Sequence, residues 1–203
     1  MIFAHGYGSN GQDLIGLAPY LQQALPDAAF VSPDAPEPVP GHPGGRQWFP
    51  LGRLDPAAMA AGVQGARPRL DALIDAELTR HALPASACAL VGFSQGTMMA
   101  LTTGLQRPEA LGAVVGLSGV FVGATAASRP PVLLAHGGAD EVIPVGAVFD
   151  ALGGLARQAV PAMWRISPGA GHTIAEDGLE LTAAFLQAAF AGRFAGWAPP
   201  TRR

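Results

Sequence analysis

Lysine is absent, and all twelve basic residues are arginine. The chain therefore offers no Schiff base and no lysine nucleophile. Cysteine is almost absent too. The single Cys88 cannot close an internal disulfide and sits in the apolar run Ala87-Cys88-Ala89-Leu90-Val91, which predicts a buried, inert thiol. Charged residues make up only 13% of the 203, the net charge is −3, and no basic cluster is long enough to follow a phosphate backbone. Nucleic acid is not expected as a partner. No apolar run approaches the roughly 18 residues of a membrane span, and no basic region precedes a cleavable apolar stretch. A cytoplasmic protein is the expectation.

Apolar residues, by contrast, are plentiful at 49%. That is enough to bury one core without disulfide or metal staples, so residues 1–203 are expected to form one domain, with 198–203 as a frayed tail. Short apolar runs alternate with segments of helical character. Strands are predicted over 2–4, 28–31, 87–92, 113–117, 132–135 and 162–166, and helices over 12–24, 56–81, 95–106, 145–158 and 176–191. Several strands lack polar alternation, which suits burial on both faces. The fold class is α/β, a mostly parallel central sheet with helices on both faces. Asp55-Pro56 is a helix start, an N-cap acid followed by proline in the first turn. Pro68, inside the same segment, predicts a kink or a break.

Residues 32–51 are rich in proline and glycine and are too long for an idle connection in a compact domain. They are read as a wall of an active site. Trp48 and Phe49 close this stretch, and core packing and a substrate-binding surface for an acyl chain explain them equally well. Met98 and Met99 read as core filler.

Gly92-Phe93-Ser94-Gln95-Gly96 matches G-x-S-x-G between a predicted strand and a predicted helix. The glycines permit a sharp turn that lifts the Ser94 hydroxyl above the sheet, and the helix start aims backbone N–H groups at developing negative charge. A serine hydroxyl needs a base, and five histidines are available. In the chain order serine, acid, histidine, His172 follows both Ser94 and a plausible acid; His136 satisfies that order only with Glu109, which reads as helix-end surface. Asp140, in the turn after Val132-Leu133-Leu134-Ala135, is the chosen acid, with Glu141 and Asp150 as rivals. Two donors must meet the oxyanion of a tetrahedral intermediate. The backbone N–H of Gln95 is one, and that of Tyr7, in the turn His5-Gly6-Tyr7-Gly8, is the other.

These residues resemble the phospholipase/carboxylesterase family of α/β-hydrolases, which includes bacterial carboxylesterases and acyl-protein thioesterases. The resemblance is carried by His5-Gly6-Tyr7-Gly8, Ser32-Pro33-Asp34-Ala35-Pro36, Arg46-Gln47-Trp48-Phe49, Gly92-Phe93-Ser94-Gln95-Gly96, Leu117-Ser118-Gly119, His136-Gly137-Gly138-Ala139-Asp140 and Gly171-His172. It implies a compact, lidless α/β-hydrolase with Ser94, Asp140 and His172 as triad, Tyr7 and Gln95 as oxyanion donors, and no metal or organic cofactor. The implied substrate is a small acyl ester of short to medium length, with acyl-protein thioesterase or lysophospholipase activity as the alternative and an idle binding scaffold as the alternative from another class. A homodimer is expected by family analogy only. One departure concerns the start. Family members usually carry further residues, often one or two strands, before the one that delivers the His-Gly turn, whereas here that strand begins at Met1. Either the start lies upstream and the first strands are lacking, or the oxyanion turn rests on an underpinned edge with Tyr7 N–H poorly preorganised.

Overall fold

Alternate residues of a strand point to opposite faces, and in this chain both sets are apolar. The structure is a computed structural model that describes residues 1–52 and 55–194; the tail expected at 198–203 lies outside the described residues. Its strands are β1 (Ile2–Ala4), β2 (Glu37–Pro38), β3 (Arg46–Gln47), β4 (Ala89–Phe93), β5 (Ala113–Leu117), β6 (Val132–Gly137) and β7 (Ala162–Ser167). β2 and β3 form a small antiparallel hairpin inside the proline-rich stretch. The others make one parallel sheet in the order β1-β4-β5-β6-β7.

Leu90, Val114, Val132 and Leu134 enter one core with residues of α3 (Pro56–His81), α4 (Gln95–Gln106) and α5 (Gly146–Arg157). Their neighbours Val91, Val115, Leu133 and Ala135 enter a second core with residues of α1 (Gly11–Leu14), α2 (Ala18–Ala24) and α6 (Glu176–Phe190). The α/β expectation is met: helices cover both faces, and the strand side chains are consumed by packing. Cys88 is buried between these layers, and burial raises its thiol pKa.

Three local expectations are corrected. Residues 28–31 form no regular strand. They contribute a single parallel bridge at Val31, whose backbone bonds Phe3 N and Met1 O at 2.8 and 2.9 Å. β1 is thereby supported on both edges, by Val31 and by β4, so the underpinned edge anticipated above does not occur. Residues 12–24 do not form one helix either. α1, capped by Asn10 through Asp13 N, gives way to a 3₁₀ turn at Ile15–Leu17 before α2, where Pro19 cannot donate to the preceding turn. Of the kink or break expected at Pro68, the break does not occur: α3 runs from its Asp55 cap to a left-handed Ala82 (φ 51°) with Val63, Leu70 and Ile74 buried on both sides of the proline. Here the packed face outweighs one missing hydrogen bond.

Candidate active site

Ser94 follows β4 directly and opens α4, and the sequence there leaves the backbone no choice. Its φ of 54° and ψ of −115° lie in a region that side chains seldom adopt. The flanking glycines explain how the turn closes. A Cβ on Gly92 would stand 2.1 Å from Gly96 O, and one on Gly96 would stand 1.8 Å from Ala4 O. Only hydrogen fits at either position, so β1, β4 and α4 meet at atomic contact beneath the serine.

His172 lies in the connection after β7. Its Nε2 is 3.0 Å from Ser94 Oγ, and its Nδ1 is 2.8 Å from Asp140 Oδ2. Phe93 flanks the imidazole with ring centroids 5.1 Å apart. The connection itself is held from β5, where Ser118 Oγ donates to Thr173 O at 3.1 Å. Asp140 sits three residues past β6, fully buried at its carboxylate. Its other oxygen accepts from Val142 N and Ile143 N at 2.9 and 2.8 Å. Burial alone would raise the Asp140 pKa. The hydrogen bonds from His172, Ile143 and Val142 outweigh it and hold the carboxyl below its ordinary range. The rivals Glu141 and Asp150 are exposed and stand outside this chain of contacts.

The turn after β1 lies against the same serine: a Cβ on Gly6 would be 3.2 Å from Ser94 Cβ. Among the described residues, neither Tyr7 N–H nor Gln95 N–H has a protein acceptor. The turn is fixed from the proline-rich stretch, since Gly8 N donates to Arg46 O and Arg46 N to Ser9 O at 2.9 and 2.8 Å. His5 adds a buried fastening. Its Nε2 accepts from Ala35 N at 2.9 Å, so Nδ1 carries the proton and donates to Gly6 O at 2.7 Å. Burial, the dominant cause, lowers the His5 pKa.

Trp48 and Phe49 do not present a surface to solvent. They are 3% and 4% exposed and belong to the core, with Phe49 packed on Gly62 of α3. Trp48 Nε1 donates to His5 O at 2.9 Å, which again serves the turn after β1. Sequence reasoning missed the Gln95 side chain. Its amide accepts from Trp48 N at 2.9 Å and donates to Phe49 O at 2.7 Å, clasping the long connection to the serine turn. The sequence offers only a Gln beside the nucleophile as a signal, and its backbone N–H alone accounts for that position.

One helical turn along α4 from Ser94, Met98 lines an apolar slot of about 290 Å³ with Met59, Val120, Ile143, Pro144 and Ala147. A larger apolar cavity of about 350 Å³ opens by Met1, Leu25 and Cys88. It lies at the amino ends of the strands, whereas ligands of open α/β sheets bind at the carboxyl ends, the side on which the slot meets Met98 of α4 and Ile143 of the Asp140 turn.

A parallel sheet covered on both faces, with a serine on the strained turn after a central strand, defines an α/β-hydrolase. The chain belongs to the phospholipase/carboxylesterase family, whose model matches residues 1–190. The esterase PE8 has the same fold with a TM-score of 0.88 and 44% identity, over 93% of this chain and 91% of that one. Acyl-protein thioesterase 1 of Saccharomyces cerevisiae is 30% identical over 213 residues, 92% of this chain and 91% of its own. The esterase YpfH of Escherichia coli is 30% identical over 145 residues; the match covers 70% of this chain and 62% of that protein.

Proposed function

We propose that the protein is a serine esterase that cleaves short to medium acyl esters through an acyl-enzyme. The observation that carries this reading is the continuous contact from Ser94 Oγ through His172 to Asp140, at 3.0 and 2.8 Å. Ser94 Oγ attacks the acyl carbon while His172 Nε2 takes its proton, and Asp140 orients the ring and stabilises the imidazolium. The carbonyl oxygen becomes an oxyanion facing Tyr7 N–H and Gln95 N–H. Collapse expels the alcohol, which leaves with the proton from His172. Water then attacks the acyl-enzyme with His172 again as base, and the carboxylic acid departs.

Slot size supports the substrate class. About 290 Å³ falls just below the usual span of ligand pockets, roughly 300–1,000 Å³, which favours a short acyl chain. The same steps would release a thiol from a thioester, and the thioesterases among the relatives support that second reading.

The test is hydrolysis of a p-nitrophenyl series from acetate to laurate by wild type and Ser94→Ala. Wild-type turnover with an optimum at short or medium chain, reduced at least about a thousandfold in the variant, is the expected result. Equal rates in both proteins would overturn the reading.

A further inference from the structure

His136 is a buried histidine for which the triad has no use. It lies within β6 with its side chain 1% exposed, on the strand that leads to Asp140. Its Nε2 is 2.8 Å from Ile143 O. A carbonyl can only accept, so Nε2 carries a proton. The same Nε2 is 3.3 Å from Asp140 Oδ2, the oxygen that faces His172 Nδ1. That proton is bonded to the backbone three residues beyond the acid, and the nitrogen that carries it stands against the carboxylate without a hydrogen bond to it.

The two carboxylate oxygens are held differently. Oδ1 accepts from Val142 N and Ile143 N, both part of the turn that Asp140 itself begins. These bonds tie the carboxylate to the turn, so its aim follows the turn's position. Oδ2 must stay on the line to His172 Nδ1, and the His136 bond to Ile143 O is a fastening of that turn to the sheet. β6 is paired on both sides, by β5 and β7, and is among the best-anchored parts of the molecule.

We infer that His136 is a positioning residue for the acid: its Nε2–H holds Ile143 O, and so fastens to β6 the turn whose N–H groups grip Asp140 Oδ1, which with the close approach of Nε2 to Oδ2 keeps Oδ2 aimed at His172. This inference rests on the triad reading proposed above. A residue one contact removed from the reacting atoms, acting through the orientation of another, affects turnover more than substrate binding.

The decisive comparison is among wild type, Ser94→Ala, His136→Phe and His136→Gln, with p-nitrophenyl butyrate as substrate. Phenylalanine fills the space without an N–H, whereas the Gln amide nitrogen reaches the position of Nε2. The expected result is a kcat about ten- to a hundredfold lower in His136→Phe with KM within about twofold of wild type, and recovery to within about threefold of wild type in His136→Gln. If turnover depends on Ser94 but His136→Phe matches wild type, the positioning role is wrong while the triad stands. Failure of His136→Gln to recover activity overturns it too. If wild type has no Ser94-dependent turnover, the triad reading itself fails and the role falls with it. A variant that does not fold leaves the tautomer of the wild-type ring as the test, read from ¹⁵N-histidine spectra. A proton on Nε2 is required, and a proton on Nδ1 alone would overturn the inference.

Discussion

Replacing Gln95 by leucine keeps the size of a buried side chain and removes an amide engaged at both ends. The residue is fully buried, and its partners, Trp48 N and Phe49 O, are backbone groups of buried residues. Water cannot take the place of the amide without entering the core. Each group left without a partner costs about 1–3 kcal/mol, and the gain from burying a leucine offsets part of the sum. A net loss of about 2–4 kcal/mol follows, a large share of the roughly 5–15 kcal/mol that stabilises an ordinary domain. For a chain of this length each kcal/mol moves Tm by about 2–4 °C, so Tm falls by about 4–16 °C. The same change frees the segment that bonds Gly8, Ser9 and His5, so kcat for p-nitrophenyl butyrate drops in the protein that remains folded at 20 °C. Urea unfolding followed by far-UV circular dichroism, with initial rates on the same preparations, measures both effects. A loss under about 0.5 kcal/mol with unchanged kcat would refute the reasoning, because the clasp would then be holding nothing.

Two further outcomes follow from single residues. Burial lowers the His5 pKa below its ordinary value near 6.5, so protonation favours the unfolded chain. The stability that neutral His5 contributes is complete above about pH 6.5 and declines as pH falls towards the lowered folded-state pKa. Urea midpoints at pH 7.5 and 5.5 should show a larger drop in wild type than in His5→Gln, and parallel drops would exclude this source. Met98→Phe narrows the apolar slot. It should shift the chain-length optimum of the ester series downward, with acetate hydrolysed within about threefold of wild type, and an unmoved optimum would place the acyl chain elsewhere.

How legible the molecule was in its sequence depended on whether the signal was local. The turn at Ser94 announces itself because strand, glycines and helix start lie within a few residues of one another, and the structure puts Asp140 and His172 at hydrogen-bonding distance of each other. The chain ends of most strands and helices fell within two residues for the same reason. What failed was decided by partners distant in sequence. Val31 carries strand character but bonds only to the short β1, so no ladder can extend. The Gln95 clasp joins residues 46 and 47 positions apart, and the His5 fastening joins residues 30 apart. Aromaticity suits Trp48 and Phe49 equally well to a pocket or a core, and their burial depends on distant partners, Gly62 of α3 for Phe49 and His5 O for Trp48.

The split of strand side chains into two cores has a consequence for how this molecule can vary. β4, β5 and β6 spend nearly all their side chains on packing, and the groups of the proposed catalytic set come from positions just beyond strand ends: Tyr7 after β1, Ser94 after β4, Asp140 after β6 and His172 after β7. In that proposal the residues that decide folding and those that carry chemistry occupy largely separate positions. Mutational drift in one set leaves the other largely untouched, so connections can be exchanged to admit new acyl groups while the sheet is inherited unchanged. Gln95, His136 and Met98 are the exceptions, each tied to both sets, and there a change of activity and a change of stability would be inherited together.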